Sequence, residues 1–411
     1  MRIAFVTQWF PPEPGTVVAA AIADGLGRRG HDVDVLTGFP NYPTGRLHDD
    51  YPLRPYRRDQ RSERVTVHRA PLYPSHDASA VGRMANYVSF ACSAAWIGRR
   101  RLPAPDAWLI YSSPATAALP ALIAPRRLRA PIHLLIQDLW PDSVLESGFT
   151  HGLTSTAMRR LLDKFCNWSY RRSDGIGIIS PGMRHILVDR GANPSRIHLT
   201  PNWVEDNHLC IGLRASEDLR TSLKLPNGGA LFMYAGNMGQ LQGLRPVIAA
   251  FAQCPEVSLV LIGAGIAKPP LQKLSSQLMA RNIHFLEPVA SDRIGRFIAA
   301  SDVQIVSLKD SPLLRATMPS KVQGAMASGR PILVHAAGDA ARVVTDCGAG
   351  LSAPPGDIGA IMRVIRRFGA MTDDPLIEMG QRGRVYYEQT YSPHVGLDRL
   401  LSMIAPQAEE A

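Results

Sequence analysis

The chain has 411 residues, 45% hydrophobic and 19% charged, the balance of a globular protein and not of a disordered one. Its mean hydropathy is −0.05, and no apolar run reaches the roughly 18–20 residues of a spanning helix, so no bilayer-crossing segment is expected. The formal net charge of +10 is uneven: residues 1–205 carry 25 basic and 17 acidic side chains, residues 206–411 carry 20 and 18. A basic first half implies an anionic partner, whether nucleic acid, an acidic membrane surface or a phosphorylated substrate. At roughly 150 residues per domain the length suggests two or three units. Cys92, Cys166, Cys210, Cys254 and Cys347 are far apart and lack CxxC spacing, which fits a reducing cytosol and no cysteine zinc site.

Met1-Arg2 leads straight into Ile3-Ala4-Phe5-Val6, which predicts a strand over Ile3–Thr7 and no secretory leader. A helix is expected over Gly15–Arg29, then strands over Asp32–Thr37, Val65–Arg69, Ala107–Ser112 and Pro131–Gln137. The arginine run Arg54, Arg57, Arg58, Arg61 and Arg64 is expected to be a solvated loop or a membrane-facing patch. The uncharged stretch Ala85–Gly98 ends in Arg99-Arg100-Arg101. Cys166 and Trp168 fall in a helix with Leu161 and Phe165 and are expected to pack in a core. Gly175–Ser180 predicts a strand, followed by a helix over Met183–Arg190.

After Asn202-Trp203-Val204-Glu205 the pattern restarts, with strands over Ala230–Ala235, Ser258–Ile262, Ile283–Leu286, Asp302–Leu308 and Pro331–His335. Helices are expected over Arg245–Ala252, around Leu271–Arg281, and over Asp292–Ala300, Ser320–Ser328, Asp357–Arg367, Pro375–Thr390 and Leu397–Met403. Strands alternating with helices imply parallel sheets covered on both faces. The glycines of the Gly236–Gly243 loop and of Gly263-Ala264-Gly265 allow backbone N–H groups to approach a phosphate. Such turns also use glycine for purely structural reasons. Met318-Pro319-Ser320-Lys321 is sharper, with Ser320 as the expected N-cap. A lysine at a helix start opposes the dipole, and it becomes sensible where lysine and helix together hold a diphosphate.

These segments resemble a retaining GT-B glycosyltransferase of family 4, in the bacterial branch that builds O-antigen, capsule and colanic-acid-type polysaccharides. The residues carrying the resemblance begin with Phe10-Pro11-Pro12-Glu13-Pro14-Gly15, Arg29-Gly30-His31-Asp32-Val33 and Leu36-Thr37-Gly38-Phe39-Pro40-Asn41-Tyr42-Pro43-Thr44-Gly45. They continue with Leu72-Tyr73-Pro74-Ser75-His76, Gln137-Asp138-Leu139-Trp140-Pro141-Asp142-Ser143, Pro201-Asn202-Trp203-Val204, the Tyr234–Gly243 loop and Pro319-Ser320-Lys321. The resemblance implies an α/β GT-B fold of two Rossmann-like domains facing across a cleft. An acceptor domain over 1–205 and a nucleotide-sugar domain over 206–390 are expected, with a terminal helix in 391–411 crossing back onto the first.

Asp138 and Lys321 are the catalytic candidates implied, with Asp138 open between orienting the acceptor hydroxyl, acting as a general base and capping the turn before Trp140-Pro141. The donor set is Gly236, Asn237, Gly239, Gln242, Gly263, Gly265, Glu287, Arg315, Pro319, Ser320, Lys321 and Gly324, and the acceptor set Gly15, Asn41, Tyr42, Asn86, Asp138 and Asn202. The implied partners are a UDP- or GDP-linked sugar and a lipid-linked (undecaprenyl-diphosphate) or small-molecule acceptor. Peripheral contact of the basic domain with the inner face of the cytoplasmic membrane is also implied. No cofactor, no metal, no acidic metal-holding triplet and no nucleic acid are expected, and the location implied is the cytoplasm. Two further readings stay open: a soluble transferase decorating a small molecule in specialised metabolism, and a non-catalytic nucleotide-sugar-binding protein. The family usually has glutamates where this chain has Ala316 and Gly324, and Arg and Lys where it has Asn237 and Gln242. Gly324 is therefore expected to leave room for an unusual donor.

Overall fold

The structure, a computed structural model, describes residues 1–75, 80–143, 153–204, 220–221, 225 and 229–405. His76, Glu205 and Cys210, named above, lie outside the described residues. The chain forms two compact units, Met1–Asn202 with Gly396–Ala411, and Trp203–Val395.

Short turns aside, the first unit contains β1 (Arg2–Val6), α1 (Val17–Arg28), β2 (Asp32–Gly38), β3 (Arg57–Ser62), β4 (Val65–Ala70), α2 (Ala80–Arg101), β5 (Ala107–Ser112) and β6 (Ile132–Ile136). It continues with α3 (Leu153–Arg172), β7 (Gly175–Ile178), α4 (Met183–Asp189) and β8 (Ile197–Leu199). The strands form one sheet in the order β3-β4-β2-β1-β5-β6-β7-β8, parallel except for the β3–β4 pair. Phe5 stands beside Val35 on one side and Leu109 on the other, all fully buried. Burial on both faces explains why these strands read as continuous apolar runs. In α3, Cys166 is buried as expected, whereas Leu161 is exposed.

β3 corrects the expectation for the arginine run. The segment Arg57-Arg58-Asp59-Gln60-Arg61-Ser62 has no apolar residue, yet it forms an antiparallel edge strand and not a loop. Three of its four charges are matched locally. Arg57 and Arg69 both bind Asp59, at 2.7 and 3.1 Å, and Arg61 grips Asp24 through two 2.7 Å bonds. Arg64 pairs with Asp32 at 3.1 Å. A charged edge of this kind also discourages pairing with a second sheet.

The second unit contains β9 (Leu231–Ala235), α5 (Arg245–Phe251), β10 (Ser258–Ile262), α6 (Lys268–Gln277), β11 (Ile283–Leu286), α7 (Ser291–Ala300), β12 (Val303–Ser307) and α8 (Ser320–Ala327). β13 (Ile332–His335), α9 (Asp339–Asp346), β14 (Gly350–Ala353), α10 (Ile358–Gly369) and α11 (Asp373–Thr390) complete it, before α12 (Pro393–Ile404). Its sheet is parallel, in the order β11-β10-β9-β12-β13-β14. Phe232 on β9 meets Phe251 and Phe368 edge-on at 5.0 and 6.0 Å, tying α5 and α10 to the sheet. Each such pair adds roughly 0.5–1.5 kcal/mol beyond its buried area.

From Gly396 onward α12 belongs to the first unit. A Cβ at Gly25 would sit 2.5 Å from the Leu397 side chain, so glycine in α1 makes the seat for that leucine. Arg29 binds Asp398 beside it, and Met403 packs over Gly175.

In each sheet the strand order reverses beside the first strand, between β1 and β5 and between β9 and β12. In open α/β sheets, ligands bind beyond the carboxyl ends of the strands at such a reversal.

Candidate active site

At the reversal in the second unit, the loop after β9 is shaped by its neighbours. The Gly236 N–H donates to the Ile262 carbonyl at 2.8 Å, and Met238 N–H to the Ala264 carbonyl at 2.7 Å. A Cβ at Gly263 would lie 2.1 Å from the Gly236 oxygen, and one at Gly265 2.4 Å from the Met238 oxygen. Gly263 and Gly265 thus let one backbone pack on the other and hold the first loop in place. The Gln242 side chain is engaged within the loop, accepting from the Gly239 N–H at 2.9 Å. Asn237 is exposed, and its carbonyl accepts from the Tyr234 hydroxyl.

Lys321 lies in the first turn of α8. Pro319 occupies the N-cap position and no side chain caps the helix, so Ser320 is its first residue and not the expected N-cap. The Lys321 ammonium lies 5.3 Å from the Tyr234 ring centroid, and a Cβ at Gly236 would approach its Nζ to 3.0 Å. The amine therefore sits at the mouth of the glycine loop. It is half-buried, and among the described residues no carboxylate pairs with it. Burial alone pushes its pKa down, because nothing offsets the desolvation of the charge. An uncapped helix start beside such a cation is an anion site in waiting.

A second layer supports the loop. Ser307, at the end of β12, donates to the Gln242 carbonyl at 2.6 Å and meets His335 Nδ1 at 2.8 Å. His335 Nε2 accepts from the Gly356 N–H at 2.8 Å. The Nε2 must then be unprotonated, so the ring is neutral and donates from Nδ1 to Ser307. Burial agrees, lowering the His335 pKa to about 4. An unfolded histidine takes up its proton near 6.5, so between those values the unfolded chain binds the extra proton. Stability is then expected to fall as pH drops from 6.5 toward 4, by up to about 3 kcal/mol. Urea unfolding across this range should show a smaller pH slope in His335→Gln. Equal slopes would mean that His335 is not held neutral.

At the reversal in the first unit, Ser113 after β5 donates to Asp138 Oδ2 after β6, at 2.6 Å. Asp138 keeps an exposed surface, yet neighbouring protein disfavours its charged form and raises its pKa against the Ser113 bond. Asn202 donates to the adjacent Gln137 at 2.6 Å. Gly15, exposed with φ +77°, turns the chain into α1. Glu13 is buried and organises two loops, accepting from the N–H groups of Phe10, Asn41 and Tyr42 at 3.1, 2.8 and 2.9 Å. Desolvation raises its pKa to about 7, against those three bonds and the nearby Arg69.

Asn41 and Asn86, of the expected acceptor set, share a hydrogen-bonded network in the first unit. Both are buried, and the Asn86 amide bridges Gln8, Asn41 and the Tyr73 carbonyl. Tyr42 instead belongs to an aromatic cluster with Trp9 (5.7 Å), which meets Tyr87 (6.1 Å), which meets Trp140 (5.4 Å). Of this cluster, at the same sheet edge as Asp138, only Tyr42 was expected from the sequence; Trp9, Tyr87 and Trp140 were not, although each lies in or near a quoted motif or the Ala85–Gly98 stretch.

Family models described as "Glycosyl transferase 4-like domain" and "Glycosyl transferases group 1" match residues 15–203 and 229–369. The chain is a family-4 GT-B glycosyltransferase. It is 27% identical to the putative colanic acid biosynthesis glycosyl transferase WcaI of Escherichia coli K12, over 77% of this chain and 78% of that one. It is 22% identical to the 2-deoxystreptamine glucosyltransferase of Streptomyces kanamyceticus, over 90% and 92%. Among solved structures, HepE of Anabaena in complex with UDP has the same fold, with a TM-score of 0.71 at 16% identity, covering 98% of this chain and 99% of that one.

The remaining donor candidates of this glycosyltransferase are placed as follows. Glu287, just past β11, is exposed and paired with Lys268 at 2.8 Å. Arg315 is exposed and donates two bonds to Asp310, at 2.6 and 2.7 Å. A Cβ at Gly324 would meet nothing within 4 Å, so the position opens on free space. One Asp-x-Asp triplet does occur, Asp32-Val33-Asp34, contrary to the expectation of none. It lies in β2, where Asp32 pairs with Arg2 and Arg64, and Asp34 with Arg2 and His68.

Proposed function

We propose that the glycosyltransferase moves a sugar, with retention at the anomeric carbon, from a UDP- or GDP-linked donor to a lipid-diphosphate-linked saccharide in surface polysaccharide synthesis. The observation that carries the donor half is Lys321, a half-buried ammonium at the mouth of the loop after β9, with no carboxylate partner among the described residues. As the bond from the anomeric carbon to the diphosphate breaks, charge grows on the leaving oxygens. The ammonium and the start of α8 are suited to hold that charge without a metal. The acceptor oxygen adds to the same face of the sugar while its proton passes to the departing phosphate. Asp138, anchored by Ser113, orients that hydroxyl, and the Trp9, Tyr42 and Tyr87 rings offer apolar faces to the acceptor's sugar rings. The likeness to WcaI supports a polysaccharide acceptor, and the basic first half suits a lipid diphosphate at the inner face of the cytoplasmic membrane. A second reading, a soluble aminocyclitol-like acceptor, is favoured by the likeness to the 2-deoxystreptamine glucosyltransferase.

Radiolabelled UDP- and GDP-hexoses offered with a lipid-linked saccharide or a soluble aminocyclitol will separate these readings. Label in the lipid extract supports the first, and label only in the aqueous product supports the second. Donor binding without transfer to either would make the protein a nucleotide-sugar binder. In Asp138→Asn, kcat is expected to fall at least a hundredfold while the donor Kd stays unchanged. Loss of donor binding in that variant would contradict the acceptor-side role.

A further inference from the structure

Part of the positive charge of the first unit lies away from the arginine run. Residues 80–131 contain seven arginines and a single acidic residue, Asp106. Elsewhere in this unit Arg2, Arg29, Arg57, Arg61, Arg64, Arg69, Arg159 and Arg190 all pair with carboxylates. By contrast, among the described residues no carboxylate pairs with Arg99, Arg100 or Arg101 at the end of α2, nor with Arg126 or Arg129. Arg127 ties the turn carrying those last two to α2, through the Arg99 and Leu102 carbonyls.

α2 itself has two faces. Phe90, Ala91, Ala94 and Ile97 are buried against the unit. Val81, Ala85, Val88, Cys92 and Trp96 recur at three- and four-residue spacing along the opposite face, and all are exposed, Val81 at 78% and Trp96 at 54%. The stripe is uncharged from Val81 to Trp96 and ends in the three arginines, with the Arg100 guanidinium 4.1 Å from the Trp96 ring centroid. No helix among the described residues is long and apolar enough to cross a membrane.

We infer that the outer face of α2, with Arg99, Arg100 and Arg101, docks the enzyme on the surface of an anionic lipid bilayer. An apolar stripe bearing tryptophan and ending in arginines matches the layered chemistry of a leaflet, with acyl chains below and phosphate headgroups above. A nucleic-acid surface offers no apolar layer for Val81, Val88 and Trp96. The inference deepens the reading of a lipid-linked acceptor. Because vesicle binding needs neither donor nor acceptor, failure of one is separable from failure of the other.

The test is flotation of the full-length protein with vesicles of phosphatidylcholine alone or with one third phosphatidylglycerol. Binding is expected only to the anionic vesicles, weakening as salt rises. Each basic residue near an anionic leaflet is worth roughly fivefold in partitioning, so the triple variant Arg99→Gln, Arg100→Gln, Arg101→Gln should bind on the order of a hundredfold less. Trp96→Ser should lose about tenfold. Trp96, Arg99, Arg100 and Arg101 are all exposed, so circular dichroism should be unchanged in both variants. Arg57→Gln, in the ion-paired strand β3, should partition like the unaltered protein. Absent or charge-independent vesicle binding, or variants that bind as well as the parent, would overturn the inference. Binding of duplex DNA in place of vesicles would assign the face to nucleic acid.

Discussion

Lys321→Ala is expected to lower kcat/KM about a hundred- to a thousandfold while leaving the Tm unchanged or slightly raised. The first effect follows from removing a preorganised positive group from the place where the leaving diphosphate gains charge. The second follows from its surroundings. A half-buried ammonium with no carboxylate partner among the described residues carries a desolvation cost in the free enzyme, seen in its lowered pKa. Alanine removes that cost. A purely structural lysine would behave the other way, with lower stability and little change in turnover. Titrating UDP- and GDP-sugars into both proteins by calorimetry, beside thermal melts, reads both quantities. Wild-type affinity and turnover in the variant would remove Lys321 from the site.

Gly263→Ala should be among the most damaging single-methyl additions to the second unit. Its φ of +144° is one that side-chain-bearing residues avoid, and the new Cβ would fall 2.1 Å from a backbone oxygen. Backbone strain and overpacking each cost about 1–3 kcal/mol, so a loss of roughly 3 kcal/mol or more is expected, with donor affinity falling as the Gly236 loop shifts. Gly324→Ala is the control. It sits within α8 with open space around it, and alanine should stabilise the helix by about 0.5–1 kcal/mol. Urea unfolding of both variants gives the comparison, and equal effects would mean that the contact between the two loops is not tight.

The alternation of apolar strands and helices was legible because burial on both faces leaves unbroken runs such as Ile132–Ile136 and Ser258–Ile262. β3 was not, because nothing apolar marks it. What holds Arg57–Ser62 in place is pairing with β4 and carboxylates distant in sequence, such as Asp24. The helix α9 and strand β14 were not expected either, and β14, Gly350-Leu351-Ser352-Ala353, has only one large apolar residue to mark it. Lys321 was legible because a lysine at a helix start contradicts local electrostatics and so asks for an anion. The glycine loops were only half legible, since a glycine that lets two backbones touch looks the same in sequence as one that admits a phosphate. His335 and Ser307 gave no signal, because their link to Gln242 joins three segments 28 and 65 residues apart. Asn41 and Asn86 were expected only through the family resemblance, and their burial in one polar network becomes visible only in the fold.

The seat of α12 also sets an order of events during synthesis. Leu397 and Met403 cover Gly25 and Gly175, yet they leave the ribosome only after the whole of Trp203–Val395 has been made. At about 5–20 residues per second that interval lasts on the order of ten to forty seconds. Throughout it the nascent first unit presents an uncovered apolar groove, with Arg29 still waiting for Asp398. Closure of that groove therefore reports that the whole of the second unit has been made.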